Sequence, residues 1–129
     1  MMVVVVGARG ECRFDMGEGE ERAVLFTNAA LMTAERELGK TLPGIIRQLI
    51  AVDLSLTNCR TLLRIGLETA RRENHEARAS YTDADAQKVL DLVGYYTVTE
   101  RLSQAIIEVF NYGRSKQPEE KQADDNPPE

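Results

Sequence analysis

The stretch VLFTNAALMTAERELGKTLP, residues 24–43, contains the point at which the chain changes from strand to helix. Residues up to Phe26 are apolar and suit a strand, whereas the apolar residues after it recur at helical spacing. Thr27 or Asn28 can cap the helix, since a side-chain oxygen there can accept a hydrogen bond from an N–H of the first turn. Gly39 ends it, because glycine easily takes the left-handed conformation that follows a last helical turn. The stretch therefore predicts a strand joined directly to a helix.

The segment before this joint predicts a β-hairpin. ECRFDM alternates partly buried and polar positions, and RAVLFT forms a second apolar run. Between them, Gly17 and Gly19 suit the tight turn of a hairpin. The β-branched run at residues 2–7 is a candidate for a third strand, and a free strand there would favour self-association through edge pairing. That run is too short, and lacks the preceding basic residues, for a signal peptide.

Downstream of the joint, apolar stripes at helical spacing predict further helices, four or five in all. Pro43 suits the first turn of the second helix. The third is predicted over about residues 58–74, with Ser55 or Thr57 as its cap. Thr82 and Gly94 delimit the fourth helix, and the fifth runs from a cap at Thr97 or Thr99 to Gly113. The residues expected to face the core are Leu31, Ala34, Leu38, Ile45, Ile46, Leu49, Ile50, Cys59, Leu62, Leu63, Gly66, Leu67, Ala70, Ala86, Val89, Leu90, Val93, Leu102, Ala105, Ile106, Val109 and Phe110.

Two residues stand out within these stripes. Gly66 lies inside the third helix, where glycine is less favourable than alanine, so a neighbouring helix is expected to approach closely at that turn. Glu35 lies on the apolar side of the first helix. It is expected either at the boundary of the core or paired with an arginine, because a carboxylate is seldom buried without a partner.

The pattern as a whole predicts an α+β protein. A small antiparallel β-hairpin or three-stranded sheet is followed by a bundle of four to five short helices. Residues 1–113 are expected to form this single domain. Residues 114–129, RSKQPEEKQADDNPPE, contain three of the four prolines and no large apolar residue, so they are predicted to be a disordered acidic tail.

Composition argues against several classes of function. Apolar residues make up 43% and charged residues 29% of the chain, an ordinary balance for a globular domain. The net charge of −5 argues against nucleic acid as a partner, since binding phosphates needs a basic surface. No apolar run approaches the roughly 20 residues of a membrane span. The two cysteines, Cys12 and Cys59, are too few for a disulfide framework, so we expect reduced thiols in a cytoplasmic protein.

The sequence has no pattern that predicts a catalytic or metal site. His75, the only histidine, lies in a charged connector, and no local motif pairs it with either cysteine. GARGE does not match a dinucleotide- or phosphate-binding glycine motif. The acidic residues of the hairpin turn and of the fourth helix lack the spacing of a calcium loop. We therefore predict no enzyme activity, no cofactor and no metal.

Arg60, Arg64 and Arg71 form a narrow strip on the third predicted helix, beside its apolar stripe. Glu68 is placed at helical spacing to pair with Arg64, Arg71 or Arg72. One interpretation of the strip is a solvated face. The other is a docking strip for an acidic partner, which includes the chain's own acidic tail. In that case, changing the three arginines to Glu weakens the complex without unfolding the domain.

The segment GECRFDMGEGEERAVLFTNAALMTAERELGKTLPGIIRQL, residues 10–49, resembles the N-terminal half of the tail assembly chaperones of long-tailed phages. The likeness is to the small family shared with gene-transfer-agent particles and their siphophage relatives. Its pattern is a Gly-Glu strand start, a short hairpin and a helix of the form T-x-x-A-L-x-x-x-E-x-x-L-G, here Thr27, Ala30, Leu31, Glu35, Leu38 and Gly39. LTNCRTLLRIGLETA, YTDADAQKVLDLVG and LSQAIIEVF follow in the family's order, so the resemblance extends to about residue 112.

The resemblance implies a non-enzymatic chaperone that binds and solubilises the tape measure protein in the host cytoplasm, and that self-associates. Such coating hides apolar helical surface that otherwise aggregates. We expect the contacts to be the arginine strip and the apolar surface near Phe110 and Tyr112. The alternatives are a structural head–tail connector or tail-completion protein of the virion and, against the acidic composition, a nucleic-acid-binding regulator.

Overall fold

A computed structural model describes residues 9–112 of the chain. Its elements, in order, are β1 (Glu11–Gly17), β2 (Glu20–Leu25), α1 (Asn28–Leu38), α2 (Leu42–Ile50), α3 (Leu56–Glu73), α4 (Asp83–Val93) and α5 (Tyr95–Phe110). The predicted α+β fold, an antiparallel hairpin followed by five helices, is therefore confirmed. The candidate third strand at residues 2–7 and the tail at residues 114–129 lie outside the described residues.

The hairpin has the tight turn that its glycines predict. β1 and β2 pair antiparallel, with Cys12 opposite Val24, and the register shifts by one residue between Asp15 and Gly17. Gly17, Glu18 and Gly19 all have positive φ, at 96°, 57° and 78°. Glycine adopts this conformation without strain, so the two glycines make the turn possible.

The joint between strand and helix has the predicted caps. The Thr27 hydroxyl oxygen accepts a hydrogen bond from the backbone N–H of Ala30 at 3.1 Å. Gly39, with φ of 68°, ends α1 in the left-handed conformation. Glu35 has a different partner from the arginine considered above, because its carboxylate accepts a hydrogen bond from the backbone N–H of Leu42 at 2.7 Å. It thus satisfies a free N–H in the first turn of α2.

Local signals also set the starts of α3 and α4. Ser55, one of the two predicted caps, accepts a hydrogen bond from the Asn58 N–H at 3.0 Å, so α3 begins at Leu56, two residues before the predicted start at about residue 58. Thr82 and Asp85 form a reciprocal capping box at the start of α4. In each case a side-chain oxygen satisfies an N–H that the helix itself leaves free.

The predicted cap of α5 was wrong. The helix begins at Tyr95, directly after Gly94, and has no side-chain cap. Gly94 has φ of 99°, which lets α4 and α5 follow each other without a spacer. Thr97 therefore lies inside the helix, and buried Thr99 donates its hydroxyl hydrogen back toward the carbonyls of the preceding turn.

The core lies between the hairpin and the helices, with α3 at its centre. α3 packs against β2, α1, α4 and α5. The apolar stripe predicted for α3 is confirmed, because all six of its residues are buried: Cys59, Leu62, Leu63, Gly66, Leu67 and Ala70. Ile50 and Phe110 were predicted to face the core but are 63% and 43% exposed. Each is the last residue of its helix.

Gly66 allows a close approach, but the neighbour is not the helix that was predicted. A Cβ at this position would lie 2.5 Å from Cγ1 of Val24 and 2.8 Å from Cζ of Phe26. Both distances are shorter than van der Waals contact allows. The middle of α3 therefore rests directly on the end of β2, at the joint with which the fold begins.

Candidate interaction surface

Arg64, at the centre of the predicted strip, joins three helices. Its Nη2 lies 2.7 Å from Oε1 of Glu37 on α1, and its Nε lies 2.9 Å from Oδ1 of Asp83 on α4. All three side chains are partly exposed, so each ion pair contributes modestly to stability. The two pairs nevertheless give Arg64 a role within the domain, at the junction of α1, α3 and α4.

Arg60 is less completely partnered. Its Nη1 donates to Oε1 of Gln87 at 3.3 Å, and its Nη2 lies 3.8 Å from Oδ2 of Asp83. Its Nε is buried and has no hydrogen-bond partner among the described residues. Arg64 holds Asp83 at the shorter distance, so the structure brings these two arginines together around one carboxylate and leaves Arg60 with spare donor capacity.

Arg71 belongs to a separate cluster around Glu68. Its Nε and Nη2 bind the two carboxylate oxygens of Glu68 at 3.0 and 2.6 Å, and Arg72 also binds that carboxylate at 3.2 Å. Of the three pairings predicted for Glu68, those with Arg71 and Arg72 are present, whereas Arg64 pairs elsewhere. Hydrogen bonds from Arg71 lower the pKa of Glu68 to about 2.

Phe110 and Tyr112 lie at the end of α5, and both are more than 40% exposed. The guanidinium of Arg9 stacks over the Tyr112 ring at 3.4 Å from its centroid. The backbone N–H of Gly10 donates to the Glu108 carboxylate at 2.9 Å, which ties this end of α5 to the start of the hairpin. The exposed end of α5 is thus joined to the start of the hairpin, and the Tyr112 ring there packs against the guanidinium of Arg9.

A further group of exposed apolar residues was not predicted as a surface. Five of them lie on two segments, residues 50–56 and 92–96, which the hydroxyl of Tyr95 joins by donating to the carbonyl of Leu54 at 2.5 Å. We call this group the Leu54–Tyr95 surface; its exposed members are Ile50, Val52, Leu56, Leu92 and Tyr96.

The sequence held part of the signal for this surface. Leu56 and Val52 fall outside every predicted apolar stripe, as do Leu92 and Tyr96, and apolar residues with no place in a stripe are candidates for exposure. Their grouping depends on the fold, because the two segments are about 40 residues apart in the chain.

A hollow of about 460 Å³ lies beside Leu56, between the start of α3, the second half of α4 and the start of α5. Leu56, Leu90 and Tyr95 supply its apolar walls. Its polar lining includes Arg60, Gln87 and Asp91. The hollow thus combines exposed apolar surface with the arginine whose Nε has no partner.

The two cysteines are shielded from solvent to different degrees, since Cys59 is buried and Cys12 is partly buried. Burial raises the pKa of both Cys12 and Cys59 to about 12, so both remain thiols at neutral pH. Within residues 9–112, no group of three or more His, Cys, Asp or Glu residues is placed to hold a metal ion. No helix in that range is long and apolar enough to cross a membrane.

Comparisons with protein-family models, with curated proteins and with solved structures find no match to this chain.

Proposed function

We propose that this protein is a phage tail assembly chaperone that binds the tape measure protein and keeps it soluble in the host cytoplasm. The observation that carries the proposal is the Leu54–Tyr95 surface. It places five exposed large apolar side chains on two segments that a hydrogen bond joins. Exposed apolar side chains on neighbouring segments are typical of protein interaction sites.

The surroundings of that surface suit a helical partner. The hollow beside Leu56 is bordered by three helices, and grooves between helices commonly receive the apolar face of another amphipathic helix. A tape measure protein is long and helical, so it offers many helical segments whose apolar faces could fit such a groove. The resemblance of residues 10–49 to tail assembly chaperones points to the same partner.

The predicted contacts contribute unequally in this proposal. Arg64 and Arg71 are engaged by carboxylates of their own chain, so they mainly support the domain. The terminal nitrogens of Arg60 make only long contacts within the chain, and its side chain is partly exposed, so Arg60 retains donor capacity for a partner. Phe110 and Tyr112 form a second exposed group, and we expect them to add contact area at the end of α5.

The proposal is tested by expressing the tape measure protein of the same genome with and without this chain. We expect the tape measure protein to be soluble only in the co-expression, and the two to elute together from a sizing column. A tape measure protein that stays insoluble while this chain elutes alone would refute the chaperone function. Detection of this chain in purified mature particles would instead support the structural alternative, a head–tail connector or tail-completion protein.

A further inference from the structure

We propose that the hollow beside Leu56 binds one helix of the partner through two matched contacts. An apolar side chain of that helix enters between Leu56 and Leu90, and a carboxylate of the same helix accepts a hydrogen bond from Arg60. This inference rests on the proposed function, since the partner is taken to be the tape measure protein.

The incomplete pairing of the Arg60 guanidinium is the first observation behind the inference. Its Nη1 makes one long hydrogen bond to Gln87 at 3.3 Å, and its Nη2 lies 3.8 Å from Asp83, a carboxylate that Arg64 binds at 2.9 Å. The Nε is buried and out of reach of a partner, but the Arg60 side chain is 32% exposed, so its terminal nitrogens can bind a carboxylate from outside without taking a partner from Arg64. Guanidinium–carboxylate bonds are among the stronger hydrogen bonds.

The negative charge of Asp91, on the lining of the hollow, makes the fit to a partner helix more specific. Asp91 lines the hollow and has no Lys or Arg partner within 4.0 Å among residues 9–112. A partner helix therefore fits best when it carries two charged residues. Its acidic residue faces Arg60, and its basic residue faces Asp91. Complementary charges of this kind fix the orientation and register of a bound helix.

The size and shape of the hollow decide how such a helix binds. An α-helix with its side chains is about 10–12 Å across. A hollow of about 460 Å³ accordingly receives side chains from a helix that lies across it, and not the helix itself. Leu56 is 62% exposed in the first turn of α3, and Tyr95 is held by its bond to Leu54, so the apolar walls are already in place.

A photo-cross-linking amino acid at position 56 tests the location. The full chain carrying it is co-expressed with the tape measure protein and irradiated, and the matched control carries it at position 32. Met32 is 61% exposed on α1 and does not line the hollow. We expect cross-links to the tape measure protein from position 56 only, in a helical segment with Asp or Glu within one turn of the cross-linked residue.

Arg60→Gln tests the carboxylate contact. We expect the dissociation constant for the purified tape measure protein to rise about tenfold, since a hydrogen-bonded charge pair is lost. Arg72→Gln is the matched control, because Arg72 lies on the same helix, is 72% exposed and does not line the hollow. Melting temperatures of both variants establish that the fold is retained.

The outcomes separate the two proposals. If wild-type protein and tape measure protein do not co-purify, the proposed function fails. If they co-purify but position 56 cross-links to a second copy of this chain or to nothing, the inference about the hollow is overturned and the function stands. The same holds if Arg60→Gln binds as tightly as the wild type.

Discussion

The carboxylate of Glu68 accepts a hydrogen bond from the backbone N–H of Tyr81 at 2.9 Å, across 13 residues of chain. The same carboxylate binds Arg71 and Arg72, and the Ser80 hydroxyl lies 3.3 Å from it. One acidic residue of α3 thereby fixes the end of the connector just before α4 begins.

Glu68→Gln should therefore destabilise the domain. The substitution keeps the shape of the side chain but removes the charge that strengthens its bonds to two arginines, so we expect a loss of about 1–3 kcal/mol in the free energy of unfolding. Urea denaturation followed by circular dichroism measures it. Glu73→Gln is the control, since Glu73 is exposed on the same helix and has no ion pair among residues 9–112.

The same contact predicts a pH dependence. The pKa of Glu68 is lowered from the ordinary value of 4.5 to about 2 by hydrogen bonds from Arg71. A lowered pKa in the folded state contributes stability that is complete above the unfolded pKa and is lost as the pH falls toward the folded one. The stability difference between wild type and Glu68→Gln should thus shrink between pH 4.5 and about pH 2. A difference that stayed constant over this range would contradict the assignment.

Gly66→Ala should be destabilising, although alanine is the better helix former by about 1 kcal/mol. The new methyl group would overlap Val24 and Phe26, and overpacking of a core typically costs about 1–3 kcal/mol. Combining it with Val24→Ala should cost less than the sum of the two single changes, because the shorter side chain removes the closer clash. Thermal unfolding of the four proteins measures this, and a more stable Gly66→Ala would show that α3 does not rest on β2 at this turn.

Arg64→Glu should lower stability by about 2 kcal/mol, since it breaks two ion pairs and places like charges beside Glu37 and Asp83. Arg47→Glu is the control, because Arg47 is exposed on α2 and has no ion pair within residues 9–112. Chemical denaturation measures the free energy of unfolding of both variants and of the wild type. The triple change of Arg60, Arg64 and Arg71 to Glu is consequently expected to disturb the domain as well as any complex, and the single change at Arg60 is the better test of binding.

Cys12 and Cys59 should react very slowly with a thiol reagent at pH 8 in the native protein, because burial raises the pKa of both thiols to about 12. In denaturant both should react at the rate of a free cysteine. Mass spectrometry of timed samples with iodoacetamide measures the two rates. Rapid labelling of Cys59 in the folded protein would show that its surroundings open to solvent, and rapid labelling of the partly exposed Cys12 would contradict the raised pKa of its thiol.

Much of the fold could be predicted from the sequence because it depends on neighbouring residues. Thr27, Gly39 and Thr82 mark helix ends through hydrogen bonds or backbone conformations within a few residues, and the buried stripe of α3 follows from helical spacing alone. The start of α5 was missed because Gly94 begins that helix through its backbone conformation and not through a side chain. Thr97 and Thr99, which can both cap a helix by their side chains, were predicted instead.

The candidate surface was less predictable. Arg60, Arg64 and Arg71 were identified as one strip, yet their partners differ because those partners lie on other elements. Glu37 is 27 residues from Arg64 in the chain, and Asp83 is 19 residues away. No local pattern indicates which of the 21 acidic residues will meet a given arginine.

The sequence by itself determined the α+β architecture, the ends of α1, the cap of α4 and the residues of the central stripe, because caps, turns and periodicity act over a few residues. Tertiary structure decided that Gly66 meets β2, that Arg60 is paired less closely with Asp83 than Arg64 is, and that Leu56 and Tyr95 border one hollow. These relationships join segments that are distant in the chain. They arise only when burial of the apolar stripes brings the helices together, and no local preference of the chain encodes which side chains then become neighbours.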